Sequence, residues 1–141
     1  MEKKKILIVE DNGNIFNMLE NELDSSIYHV ERAKAVDEAK SAVKVTGPFD
    51  CCVVDLQLLA LGLTIEEMDN YQDREGYALL KNYLWKADKN PIQKSQTIIC
   101  SKYIKQFKKE FRNEINGLFL VDKDKGFEKI VAALIKKICK I

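Results

Sequence analysis

Apolar residues recur along this chain in two alternating patterns. Short continuous runs stand at Ile6-Leu7-Ile8-Val9, Cys51-Cys52-Val53-Val54, Thr97-Ile98-Ile99-Cys100 and Leu118-Phe119-Leu120-Val121. Runs of this length, bounded by polar residues, predict buried strands of a parallel sheet. Between them the apolar positions switch to a spacing of three and four, which predicts helices. The last is the clearest: Phe127, Ile130, Val131, Leu134, Ile135 and Ile138 mark one face and lysines the other. Leu79, Leu80, Tyr83 and Leu84 mark a third helix; Ile104, Phe107, Phe111 and Ile115 mark a fourth. Gly47-Pro48, Asn90-Pro91 and Asn116-Gly117 supply breakers where turns are needed.

The pattern predicts strands over 5–9, 28–32, 51–55, 96–100 and 118–122, and helices over about 13–24, 36–45, 76–87, 102–115 and 126–140. Five strands alternating with five helices imply an α/β doubly wound fold. The second strand, Ile27-Tyr28-His29-Val30-Glu31-Arg32, is mixed in character and reads as an edge strand with one side in water. His29, the one histidine, reads there as a partly exposed strand residue rather than a catalytic group. Repeats, low-complexity segments and linkers are absent, so positions 1–141 read as one domain with no output domain.

Composition narrows the function classes. The chain has 141 residues, 46% hydrophobic and 32% charged, which suits a globular domain with its own core. A net charge of +1 gives no global pull toward nucleic acid or membrane. No apolar run approaches a bilayer span, and Met1-Glu2-Lys3-Lys4-Lys5 lacks the apolar stretch of a signal peptide. The expectation is a cytoplasmic protein without membrane insertion and without direct nucleic-acid binding. Cys51, Cys52, Cys100 and Cys139 form no CxxC and read as buried thiols of the core.

Each apolar run also ends in chemistry. The first leads into Glu10-Asp11, the next into Asp55, the next into Ser101, and the last through Asp122 to Lys123. In an open parallel sheet, the carboxyl ends of the strands share one rim, where ligands bind. An acidic pair, a lone carboxylate, a hydroxyl and an ammonium therefore meet there. A carboxylate can attack a phosphoryl group as a nucleophile, provided that charge is neutralised around it. Glu10, Asp11 and Asp55, with a backbone carbonyl after Asp55 (that of Gln57), suit Mg²⁺, a hard cation that prefers oxygen ligands. Lys123 and Ser101 are then placed to meet phosphoryl oxygens.

These residues resemble the response-regulator receiver domain, the phospho-accepting module of two-component signalling. The resemblance spans essentially the whole chain and rests on Ile-Leu-Ile-Val-Glu10-Asp11-Asn, Val-Val-Asp55-Leu, Ile-Ile-Cys-Ser101 and Val-Asp-Lys123, in that order. It implies a flavodoxin-like sheet of strand order 2-1-3-4-5. It also implies Asp55 as phosphoacceptor, Glu10 and Asp11 in the metal site, Ser101 as switch hydroxyl and Lys123 as the phosphate-binding lysine. The partners implied are a histidine kinase or phosphotransfer protein upstream and a downstream protein target. The chain would be no enzyme beyond its own phosphorylation and dephosphorylation, and dimerisation through the fourth-helix face stays open. Lysines 102, 105, 108, 109, 129, 136 and 137 cluster on the last two helices, as solvated faces or as a docking surface for an acidic protein.

Several positions depart from the family pattern. Asp124 follows the lysine where proline is usual, Leu120 stands where the aromatic switch partner is common, and Lys102 follows the switch hydroxyl where a small residue is usual. The largest departure is an insertion at about 58–72, which delays the turn glycine to Gly76. Thr64-Ile65-Glu66-Glu67 fits a capping box, so a short helix from Ile65 to about Tyr71 is expected. The insertion is expected to fold near Asp55, with Leu61, Leu63, Ile65 and Met68 making apolar contacts.

Two other classes fit less well. A haloacid-dehalogenase-type phosphatase needs a second acid two residues after the nucleophile, and Gln57 stands there. A flavin or nucleotide binder needs a phosphate loop after the first strand, where Glu10-Asp11-Asn12-Gly13 is acidic. The stronger rival is a degenerate receiver that binds partners without phosphorylation.

Overall fold

The computed structural model describes residues 2–141. Five parallel strands, β1 (Lys4–Val9), β2 (Tyr28–Ala33), β3 (Cys51–Val54), β4 (Thr97–Ser101) and β5 (Phe119–Asp122), form one sheet in the order β2-β1-β3-β4-β5. This is the predicted doubly wound order. Reversal of strand order between β1 and β3 leaves a crevice beyond their carboxyl ends, where ligands bind in such sheets.

Strand alternation divides the core into two layers. Leu7, Val9, Cys52, Val54 and Ile99 face one side, under helices α2 (Val36–Thr46), α4 (Glu75–Leu79) and α5 (Ile104–Glu110). Ile6, Ile8, Cys51, Val53, Ile98 and Cys100 face the other, under α1 (Gly13–Asn21) and α6 (Phe127–Ile138). Inner strands β3 and β4 are buried throughout, whereas β2 and β5 are half-exposed edges. The apolar run at 118–121 is thus an edge, unlike the other three. All four cysteines are free and buried. Burial pushes the Cys100 thiol up to about 12 and raises the Cys51 and Cys52 thiols as well, so they remain protonated core residues.

The helices match the sequence reading inside the insertion and differ from it in two places. A sixth helix, α3 (Ile65–Asn70), lies inside the insertion, where the capping box placed it. Thr64 Oγ1 accepts from the Glu67 N–H at 3.1 Å, and a Glu67 carboxylate oxygen accepts from the Thr64 N–H at 2.9 Å. The helix expected over 76–87 becomes α4 followed by a π turn at Leu80–Leu84, in which Trp85 N–H donates to Leu80 C=O at 2.9 Å. The helix expected over 102–115 stops at Glu110. There Phe111 is fixed among the rings of Tyr71, Tyr77 and Phe107, and Glu114 turns back to accept from Tyr77 Oη and Lys81 Nζ. Tertiary contacts thus end a pattern that periodicity alone would continue.

The insertion also takes a different course. α2 has no side-chain cap at Ala35, and its first N–H groups donate to insertion carbonyls instead: Val36 to Leu59 and Asp37 to Leu61. Gly62, at φ +101°, carries the chain closely past Asp37, where a Cβ would lie 3.0 Å from the Asp37 side chain. Glu67 then accepts from Asn82 Nδ2 and Tyr83 Oη. Only Leu58 and Leu63 are buried; Leu61, Ile65 and Met68 are exposed and do not make the expected apolar contacts. The segment runs from β3 across the start of α2 to the π turn, because backbone and carboxylate hydrogen bonds fix its path.

Candidate functional site

The crevice is assembled from four strand ends. β1 delivers Glu10 and Asp11, β3 delivers Asp55, β4 delivers Ser101 and β5 delivers Lys123. Together with Asn12, Ile15, Gln57, Lys102 and Tyr103 they line a cleft of about 210 Å³. Glu10, Asp55 and Ser101 are buried, an expensive position for charge unless it is paired.

Lys123 supplies the pairing. Its Nζ donates to Glu10 Oε1 at 2.7 Å and to Asp55 Oδ2 at 2.8 Å, tying β5 to β1 and β3. The second Glu10 oxygen accepts from the Asn12 N–H at 3.2 Å. Burial, followed by the neighbouring Asp55 carboxylate, pushes the Glu10 carboxyl up to about 7, against the pull of Lys123. Burial alone would lower Lys123, but the Asp55 and Glu10 carboxylates outweigh it and hold the ammonium above the ordinary lysine value. Two buried carboxyl groups therefore share one ammonium at the centre.

The Ser101 hydroxyl oxygen accepts from the Tyr103 N–H at 3.2 Å, leaving the hydroxyl proton to be donated. The Lys123 N–H donates to the Ser101 carbonyl at 3.1 Å, so hydroxyl and ammonium sit on one backbone frame.

Glu10, Asp11 and Asp55 each bring an oxygen to within 4.8 Å of the others. Hard oxygen donors in this arrangement fit Mg²⁺. After Asp55, the Leu56 carbonyl is taken by the Gly76 N–H at 2.8 Å, and the Gln57 side chain donates to Asp73 Oδ1 at 3.3 Å. Gln57 still lines the cleft. Gly76 packs so tightly on the acceptor loop that a Cβ would fall 1.8 Å from the Asp55 carbonyl oxygen. The turn glycine identified after the insertion therefore supports the acceptor directly.

All six expected site residues line one cleft, and no residue of 58–72 does. The insertion leaves the sheet just after Asp55 but does not line the cleft. Sequence reasoning missed Arg32, whose Nε donates to the Glu10 carbonyl at 3.1 Å and whose Nη2 donates to the Asp11 carbonyl at 3.0 Å. Its guanidinium also lies over the Phe16 ring. Pairing Ile8 with Arg32 in parallel register carries that signal, because it puts the end of β2 beside the acidic loop. Tyr103 was missed as well; it lines the cleft two residues after Ser101 and lies beneath the Arg74 guanidinium. Phe119 packs on the α1–α6 side and Leu120 on the α5 side, as strand alternation predicts.

No protein-family model and no curated protein matches the sequence. Solved structures do match in fold, and most of the similar ones are response-regulator receiver domains. The non-phosphorylated HemR receiver domain from Leptospira biflexa is 20% identical with a TM-score of 0.68, covering 99% of this chain and 96% of its own. A CheY-like receiver domain protein from Methanospirillum hungatei is 19% identical with a TM-score of 0.68, over 99% and 96%. The receiver domain of a Pseudomonas aeruginosa sensor histidine kinase, with a magnesium ion coordinated in its active-site cleft, is 15% identical with a TM-score of 0.71, over 99% and 100%. The chain has the flavodoxin-like receiver fold. Among the described residues, no helix is long and apolar enough to cross a membrane.

Proposed function

We propose that this protein is a phospho-accepting signalling module in which Asp55 receives a phosphoryl group in a Mg²⁺-dependent reaction. The observation that carries this reading is the cluster of Glu10, Asp11 and Asp55 within 4.8 Å, with Lys123 bridging two of them, at the carboxyl ends of a receiver-type sheet. In the reaction, an Asp55 carboxylate oxygen forms a bond to phosphorus as the donor's bond to phosphorus breaks. The donor's nitrogen or oxygen leaves with the electron pair: the imidazole of a phosphohistidine, or the carboxylate of an acyl phosphate. Lys123 neutralises charge on the transferred group, and the Ser101 hydroxyl donates to one of its oxygens. Bound Mg²⁺, held by Glu10, Asp11, Asp55 and the Gln57 carbonyl, would offset the repulsion between these carboxylates and an incoming phosphate. Water later attacks phosphorus and returns Asp55 to the free carboxylate.

On this reading the chain acts on no substrate but itself, takes its phosphoryl group from a histidine kinase or phosphotransfer protein, and works in the cytoplasm. Phosphorylation draws Ser101 and Lys123 toward the new oxygens and shifts α5 and β5, whose neighbouring face carries exposed Lys105, Lys109 and Lys129 for a downstream target. With Leu120 at the switch position and Phe119 packed on the α1–α6 side, that shift runs without an aromatic switch partner on the α5 side of β5.

Intact-mass spectrometry after incubation with acetyl phosphate and Mg²⁺ tests the reading. One added phosphoryl group is expected, lost in Asp55→Asn and in chelator. Phosphorylation that persists in either control overturns the assignment of Asp55 or of the metal. Mg²⁺ binding without phosphorylation identifies a degenerate receiver instead.

A further inference from the structure

Among the described residues, four of the eight large apolar side chains left in water fall in one short segment. Leu59 is 55% exposed, Leu61 62%, Ile65 78% and Met68 38%, all within ten consecutive positions. Apolar residues clustered at the surface mark interaction sites far more often than singly scattered ones do. These side chains are presented on a braced frame. The Leu59 and Leu61 carbonyls accept from α2, a capping box closes the start of α3, and Glu67 is bound by Asn82 and Tyr83. A partner would therefore meet a preorganised surface and spend little on ordering it.

Charge indicates what kind of partner fits. Positions 45–73 contain no Lys or Arg, although the whole chain carries a net charge of +1. Exposed Glu66 and Asp69 alternate with Ile65 and Met68 along α3, and Glu67 is already committed to Asn82 and Tyr83. Nearby Lys40 donates to the Gly62 carbonyl and lies over the Tyr83 ring. An apolar patch with an acidic rim complements a segment with apolar residues on one face and basic residues beside them.

We propose that the exposed face of the insertion, Leu59, Leu61, Ile65 and Met68 rimmed by Glu66 and Asp69, docks a basic amphipathic helix of a partner protein. This surface is distinct from the acceptor cleft and goes beyond the phospho-accepting function. A second copy of the chain fits poorly. Its own lysine-rich helices α5 and α6 expose one large apolar residue, Ile130, to set against four. An anionic lipid surface would be repelled by the acidic rim.

The test titrates the ¹⁵N-labelled 141-residue chain, without phosphodonor, with a helical peptide of about 18 residues carrying leucines on one face and lysines on the other. Amide shifts are expected to concentrate at residues 59–69. Ile65→Ser with Met68→Ser should weaken binding at least about tenfold, since two apolar side chains leave the interface. Glu66→Lys with Asp69→Lys should weaken it several-fold, while Asp55→Asn should bind as wild type does. The substituted side chains are exposed, so an otherwise unchanged amide spectrum serves as the folding control. Shifts located elsewhere, or equal binding of the same peptide with glutamate in place of lysine, would overturn the proposal. So would binding that survives the Ile65/Met68 substitutions. Self-association abolished by those substitutions would overturn it in favour of a second copy. Peptide binding intact in Asp55→Asn separates this outcome from any failure of the phospho-acceptor reading.

Discussion

The acceptor cleft and the insertion beside it start from the same strand end and solve opposite problems. In the cleft, charged side chains are turned inward, and Lys123 holds Glu10 and Asp55 together. In the insertion, apolar side chains are turned outward, and backbone carbonyls with one carboxylate fix the chain in place. A parallel sheet brings its strand ends together whatever lies in the loops, so the cleft inherits its geometry from the topology. An insertion has no such frame and must be attached bond by bond. The lesson is that side-chain character alone does not say which way a segment faces; what its backbone binds does.

The largest expected effect joins the two regions. Gly76→Ala forces a Cβ to within 1.8 Å of the Asp55 carbonyl oxygen. It should cost more than about 4 kcal/mol or leave the acceptor loop displaced, a cost in the range reserved for gross steric conflict. Urea denaturation and the amide spectrum of residues 54–60 check this. Near-wild-type stability would mean that the loop yields more readily than its packing implies.

Next is Lys123→Ala, which leaves Glu10 and Asp55 buried and facing each other without their shared partner. A loss of about 3 kcal/mol at neutral pH is expected, as for other broken buried ion pairs. Part of it should return when Glu10→Gln is added or when Mg²⁺ is supplied. A loss that neither change restores would show that Lys123 acts mainly by packing.

The pH dependence in chelator should follow from Glu10. Its carboxyl is raised from 4.5 to about 7 in the folded protein, so between those values the folded state binds more protons than the unfolded one. Stability from this group is present below about pH 4.5 and is lost as pH rises through about 7. Comparing wild type with Glu10→Gln across that window isolates the contribution; identical slopes would remove Glu10 as its source.

The smallest effect belongs to the insertion. Thr64→Ala removes the cap of α3 and should cost about 1 kcal/mol. Hydrogen exchange should quicken at residues 65–70, while the Glu10, Asp55 and Lys123 environments stay unchanged. Chemical-shift changes reaching the cleft would show that the two regions are coupled.

Much of this molecule was determined by its sequence alone. Four apolar runs, each ending in a different functional group, were enough to bring Glu10, Asp11, Asp55, Ser101 and Lys123 to one rim, because the period of a strand and the topology of a parallel sheet are local and general rules. The capping box at Thr64 and Glu67 likewise located α3, since its hydrogen bonds join residues three apart. Other features were decided only by the tertiary structure. Arg32 reaches the acidic loop across a strand pair, α5 ends where Phe111 meets rings from other segments, and Leu59 and Leu61 face water while distant N–H groups hold their backbone. Each depends on a partner far away in sequence, and no local pattern of hydrophobic and polar positions records where that partner will be.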